Sequence, residues 1–119
     1  MPLDPTRILA RPVDRTERCY DARDTILYAL GVGAAQTDAT DPGELQFVLE
    51  TGLRALPSMC TVLASEPFWM AEPEWGLDWR GILHAGQTLR MHRELPATGC
   101  VRGETRVAHL WDKGAKGAL

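Results

Sequence analysis

The sequence predicts an α+β fold in a single domain spanning residues 1–119, and three observations carry that prediction. Residues 22–31 present an apolar helical face behind an aspartate that can cap it. Residues 88–94 alternate apolar and polar side chains, as a half-buried antiparallel strand does. Pro96-Ala97-Thr98-Gly99 then supplies a turn into a second alternating run over residues 101–111, so a hairpin is expected. A chain of 119 residues and 13.2 kDa has room for one core, since single domains commonly hold about 100 to 150 residues.

Taken in order, residues 1–19 hold Pro2, Pro5 and Pro12 among scattered charges, which favours an extended or coil lead-in over a long helix. Asp21 is placed to cap the helix over Ala22–Gly31. Asp24 sits in its first turn, where carboxylates are favoured, and Ile26, Leu27, Tyr28 and Leu30 form its apolar face. Gly31 and Gly33 bracket Val32 and suit a helix stop. No strand and no G-x-G-x-x-G register accompany these glycines, so they do not form a phosphate loop.

Asp41-Pro42-Gly43 reads as a turn, and Leu45, Phe47 and Leu49 alternate after it as a short strand, with a helical turn as the alternative. Residues 56–64 are expected to be helical, with Pro57 favoured at the first helical position. Residues 67–79 contain Phe68, Trp69, Trp75 and Trp79 among Pro67, Pro73, Glu72 and Glu74. That mixture fits a covering loop anchored by its rings, or the lining of an apolar ligand tunnel. Asp112-Lys113-Gly114 reads as a further turn with five residues after it. The expected sheet therefore lacks a full returning strand. On this reading the domain is incomplete at its C-terminus, and another chain or a longer protein covers the open edge.

A net charge of -3 excludes a general phosphate-backbone binder, so no nucleic-acid partner is expected. No run approaches the roughly 20 apolar residues of a membrane span, and the N-terminus does not read as a signal peptide; a soluble, cytoplasmic protein is expected. Cys19, Cys60 and Cys100 lie far apart and are odd in number, and are expected to be buried or semi-buried thiols. His84, His92 and His109 lack the close spacing of zinc motifs, so no metal and no cofactor are expected.

Tyr28-Ala29-Leu30-Gly31-Val32-Gly33-Ala34 resembles the N-terminal half of hydratase 2, the MaoC-like (3R)-specific enoyl-CoA hydratase of peroxisomal multifunctional enzymes and its bacterial relatives. Later segments follow in the family's order. Residues 44–50 are similar to its L-x-F-x-x-E, and Leu56-Pro57-Ser58 to its L-P-T/S. Ile82-Leu83-His84-Ala85-Gly86-Gln87 looks like V-L-H-G-E-Q, Leu95-Pro96 like P-L-P, and Asp112-Lys113-Gly114 like D-K-G.

The resemblance implies a hot-dog fold, a curved antiparallel sheet around a helix, truncated here before its last strands. It places the catalytic Asp and His in the other half, within a G-D-x-N-P-x-H motif that this chain lacks. Hydration of an enoyl thioester needs a positioned acid/base pair and donors for the developing enolate oxygen, so no catalytic residue is assigned. The implied role is that of a non-catalytic, acyl-CoA-accommodating half or subunit of a (3R)-hydroxyacyl-CoA hydratase or dehydratase. Such a part pairs with a catalytic hot-dog domain in a homo- or hetero-oligomer. The alternative is a degenerate hot-dog that binds or assembles without turnover.

By position, the resemblance places His84, Ala85, Gln87 and Lys113 along bound acyl-CoA. Lys113 suits the phosphates of CoA. Ala85 replaces a glycine of the family's pattern and Gly86 a glutamate, which changes the backbone approach and removes a carboxylate. Taken without the resemblance, His84 reads as a polar strand-end histidine, Gln87 as part of a turn and Lys113 as a solvated turn lysine.

Overall fold

A computed structural model describes residues 2–65 and 67–116. Its elements are α1 (Pro5–Leu9), β1 (Asp14–Tyr20), α2 (Ala22–Gly31), α3 (Pro42–Leu45), α4 (Cys60–Leu63) and β2 (Gly99–Thr105), with short 3₁₀ turns between them. The chain is α+β, and its sheet is the antiparallel pair β1–β2. Its segments group into two units, one from residues 1–15, 66–86 and 103–119, the other from 16–65 and 87–102.

The second unit is built around α2, whose ends are where the sequence places them. Asp21 accepts from the Asp24 N–H at 3.0 Å, and the Asp24 carboxylate accepts from the Asp21 N–H at 3.1 Å, a reciprocal capping box. At the other end Gly33 takes φ +101°, a conformation that costs glycine least. This lets the Ala34 N–H reach the Ala29 carbonyl at 2.9 Å and the Gly33 N–H reach Leu30 at 3.2 Å. Two carbonyls orphaned by the helix end are thereby satisfied.

Tyr20, Met59 and Leu63 form the core of this unit, with Tyr28, Ala55, Leu95 and Val101 packed against them. Two hydroxyls join α2 and the end of β1 to the turn that leads into β2. Tyr20 donates to the Pro96 carbonyl at 2.6 Å, and Thr25, 1% exposed, donates to the Ala97 carbonyl at 2.7 Å. Such bonds, made from buried hydroxyls, each stabilise by about 0.5–1.5 kcal/mol.

Four sequence expectations are corrected. Residues 88–94 form no strand and their side chains are mostly exposed; β2 pairs with β1 in the expected coil of the lead-in. Cross-strand charge agrees with this pairing. Glu17 pairs with Arg102 at 2.8 Å and Arg15 with Glu104 at 3.1 Å, whereas a hairpin with 88–94 would bring Arg90 and Arg93 toward Arg102 and Arg106. The expected second strand is also shorter: β2 stops at Thr105, and residues 106–111 carry no ladder.

Residues 45–50 take the helical alternative. Asp41 caps Gly43 at 2.8 Å, Pro42 occupies the first helical position, and Leu49 N–H reaches the Leu45 carbonyl at 3.0 Å. The fourth correction concerns the cysteines. Cys19 and Cys100 face each other on the exposed side of the strand pair and are joined as a disulfide, while Cys60 alone remains a half-buried free thiol. Alternation along two strands had no bearing on them until the strands were known to be neighbours.

Helical structure does occupy residues 57–63, as a 3₁₀ turn followed by α4. Asp112-Lys113-Gly114, expected as a hairpin turn, joins no strands: the Gly114 N–H bonds to the Asp112 carboxylate at 2.7 Å and a short 3₁₀ turn begins at Gly114. The tail that follows, residues 117–119, lies outside the described residues. Among the described residues no helix is long and apolar enough to cross a membrane.

Burial raises the Tyr20 hydroxyl above the ordinary tyrosine value of 10.0. The folded chain therefore keeps this proton to higher pH than the unfolded one. The stabilisation is complete below about pH 10 and is lost as pH rises through the folded value. Tyr20→Phe should lower stability by about 1 kcal/mol at pH 7. It should also flatten the decline above pH 10, which denaturant melts at several pH values would show; an unchanged decline would exclude Tyr20 as its source.

Candidate functional site

The residues singled out in the sequence lie in exposed, irregular backbone. His84 and Ala85 fall near the end of the 66–86 segment of the first unit, Lys113 sits beside Gly114 in that same unit, and Gln87 opens the 87–102 segment of the second. All four are exposed. No hydrogen bond or ion pair joins His84, Ala85 and Lys113 to one another among the described residues. Leu83, beside His84, is 87% exposed, so the segment offers apolar as well as polar surface.

The better-built arrangement lies in the first unit, around the aromatic loop. Three 3₁₀ turns, Trp69–Ala71, Pro73–Trp75 and Trp79–Gly81, fold the loop back on itself. Gly76 takes φ +67° to end the second of them. Trp69 is buried and meets Trp75 edge-on at 5.5 Å between centroids, while Phe68 meets Trp79 edge-on at 6.3 Å.

Two arginines from the N-terminal segment hold these rings. The Arg11 guanidinium lies 4.5 Å from the Trp69 centroid and 5.7 Å from that of Trp75, and it pairs with the Asp14 carboxylate. Its side chain is only 11% exposed, which strengthens both attractions by removing competing water. Arg7 lies 5.0 Å from the Trp75 ring and donates to the Glu74 carbonyl at 2.7 Å and its carboxylate at 3.3 Å. The Trp75 indole donates to Glu72 at 3.2 Å.

A pocket of about 220 Å³ opens beside this clamp, lined by Pro2, Asp4, Arg7, Glu74 and Trp75. Its polar groups are already engaged: Asp4 caps α1 by accepting from the Thr6 N–H at 3.0 Å and the Arg7 N–H at 3.3 Å, and Arg7 is held by Glu74. The pocket thus resembles a packing notch more than an acid/base centre. Among the described residues, no group of three or more His, Cys, Asp or Glu side chains is placed to hold a metal ion.

The arginine clamp is what sequence reasoning missed. Tryptophans at 69 and 75 gave one half of the signal, and arginines at 7 and 11, one helical turn apart, gave the other. Nothing in the sequence alone says that the two segments meet.

Comparison with known proteins bears on the chain as a whole. The family model described as MFE-2 hydratase 2 N-terminal domain matches residues 19–119. The chain is 33% identical over 119 residues to the peroxisomal enoyl-CoA hydratase 2 of Arabidopsis thaliana, covering 94% of this chain and 38% of that protein. It is 30% identical over 118 residues to the enoyl-CoA hydratase ChsH3 of Mycobacterium tuberculosis, covering 96% and 41%. With 3-hydroxyacyl-thioester dehydratase Y of the same organism it shares 35% identity over 96 residues, covering 77% and 31%. The chain therefore spans about two fifths of the length of the first two relatives.

Arg7 and Arg11 precede the matched region, whereas the rings they hold lie inside it. Arg11→Ala should destabilise the first unit by roughly 2 kcal/mol, from the lost ring contacts and the disrupted ion pair with Asp14. Tryptophan emission should shift to the red as Trp69 gains water. Emission and stability both unchanged would show that the clamp does not hold the loop.

Proposed function

Since the chain belongs to the family of MFE-2 hydratase 2 N-terminal domains, we propose that it is the non-catalytic, acyl-CoA-accommodating half or subunit of a (3R)-hydroxyacyl-CoA hydratase or dehydratase. In this reading it is a hot-dog domain that works beside a second, catalytic hot-dog domain or subunit. The reaction is the reversible addition of water across a trans-2-enoyl-CoA, in fatty-acid or steroid side-chain oxidation.

One observation carries the reading. The match to an N-terminal hydratase domain covers residues 19–119, yet the sequence has no G-D-x-N-P-x-H motif. Hydration delivers a hydroxyl to C3 and a proton to C2 while charge builds on the thioester oxygen. Those steps need a water held between an acid and a base, with fixed donors at the oxygen. In this reading that chemistry falls to the second hot-dog half or subunit, and this chain holds the acyl-CoA.

His84, Ala85, Gln87 and Lys113 are the residues we assign to that task. Their exposure supports the assignment, because it leaves the His84, Gln87 and Lys113 side chains and the Ala85 backbone open to a ligand. Lys113 stands next to Gly114, whose φ of +71° turns the backbone sharply there. An ammonium at such a turn suits a CoA phosphate as a point charge. Ala85 offers backbone only, and Gln87 a side-chain amide that both donates and accepts.

Two outcomes follow. The purified chain should not consume the enoyl absorbance of crotonyl-CoA or of longer trans-2-enoyl-CoA esters. Joined to a hot-dog half that carries G-D-x-N-P-x-H, it should raise turnover of these esters above that half alone. Turnover by the chain alone would overturn the non-catalytic role, and no gain on joining would favour a module that binds or assembles without turnover. Lys113→Ala should weaken binding of acyl-CoA to the joined protein by about three- to tenfold, roughly 1 kcal/mol, and leave binding of the phosphate-free acyl chain unchanged. Equal weakening of both would remove Lys113 from the CoA contact.

A further inference from the structure

The Cys19–Cys100 disulfide lies at the joint where β1 hands over to α2 and where the 96–98 turn enters β2. We infer that this bridge is a reversible redox latch on the second unit, opened by small thiols of the dithiol or glutathione class. The inference is independent of the proposed hydratase role.

Position is the first argument. Cys19 is followed by Tyr20, a core residue, and by Asp21, which caps α2. Cys100 is preceded by the turn whose Pro96 and Ala97 carbonyls accept from Tyr20 and Thr25. The bridge therefore closes covalently the same joint that two buried hydroxyls close by hydrogen bonding. It also links positions 81 residues apart, so it encloses almost all of the second unit in one loop. Cross-links over loops of that size restrict the unfolded chain strongly.

Access is the second argument. Both cysteines are exposed, and their neighbours on the same face are Glu17 and Arg102, each side chain 70% exposed. That exposure leaves the bridge open to an attacking thiolate. Cys60 differs: it is half-buried on α4, with its sulfur 4.0 Å from that of Met91, and takes no part in the bridge.

Reversibility follows from what remains when the bridge opens. The Glu17–Arg102 pair and the Tyr20–Pro96 and Thr25–Ala97 bonds still hold the joint, so Cys19 stays opposite Cys100 and can re-form the bond. In the opening step a reductant thiolate attacks one sulfur, the Sγ–Sγ bond breaks, and a mixed disulfide forms. A second reductant thiol attacks that mixed disulfide. Cys19 and Cys100 leave as two thiols, and the reductant leaves as its disulfide, having supplied two electrons and two protons. An oxidised disulfide of the same class drives the reverse exchange.

The test uses the whole chain in native buffer. Alkylation in denaturant without reductant should modify Cys60 alone; after native treatment with graded dithiothreitol it should modify all three cysteines. The melting temperature should fall by about 5–15 °C across that titration and recover on reoxidation. Cys60→Ser should keep this response, and the double variant Cys19→Ser with Cys100→Ser should melt at the reduced value without responding to reductant. If that double variant fails to fold, the titration of the natural chain still decides. Three reactive thiols before reduction, an unchanged melting temperature, or a bridge that opens only in denaturant would each overturn the latch.

Discussion

Two strands far apart in the chain have to meet before the second unit has a core. β1 brings Tyr20 and β2 brings Val101 to the cluster around Met59 and Leu63, and each strand reaches that cluster only because the other pairs with it. The pairing also sets the position of α2, since the residue that ends β1 immediately precedes the cap of the helix. From there Thr25 reaches back to Ala97, in the turn before β2. A local change at Tyr20 is therefore felt at a turn about 76 residues away, through one hydroxyl and one carbonyl.

Local signals were legible in the sequence. The span of α2, its aspartate cap and its glycine stop were readable because capping chemistry depends on neighbours within a single turn. The helical stretch at 57–63 was readable for the same reason. Strand pairing was not. The alternation at 88–94 is real in the sequence, but alternation names no partner. The lead-in, with Pro12 and its charges, looked like coil although its charges complement those of β2. The order of motifs identified the family without any of this, because homology does not depend on solving the pairing.

The site was legible in the same uneven way. His84, Ala85, Gln87 and Lys113 came from matching positions to a family pattern, and the structure places them in exposed backbone where little else constrains them. The most densely bonded arrangement, arginines 7 and 11 against tryptophans 69 and 75, was invisible because it joins segments about 60 residues apart. In the sequence the tryptophans fit a cover or a tunnel lining. Their ring faces are in fact occupied by the chain's own cations, which leaves the loop settled on the first unit.

The distance between the paired strands also has a consequence during synthesis. β1 leaves the ribosome long before its partner: the residues opposite Cys19 follow 81 positions later. At roughly 5–20 residues per second, β1 waits on the order of 4 to 16 seconds with its ladder groups bonded only to water. An apolar strand in that state would invite other nascent chains. The exposed charges of Arg15, Glu17 and Arg18 make it a poor template for them. The charges that later face those of β2 thus first serve as a guard against other partners.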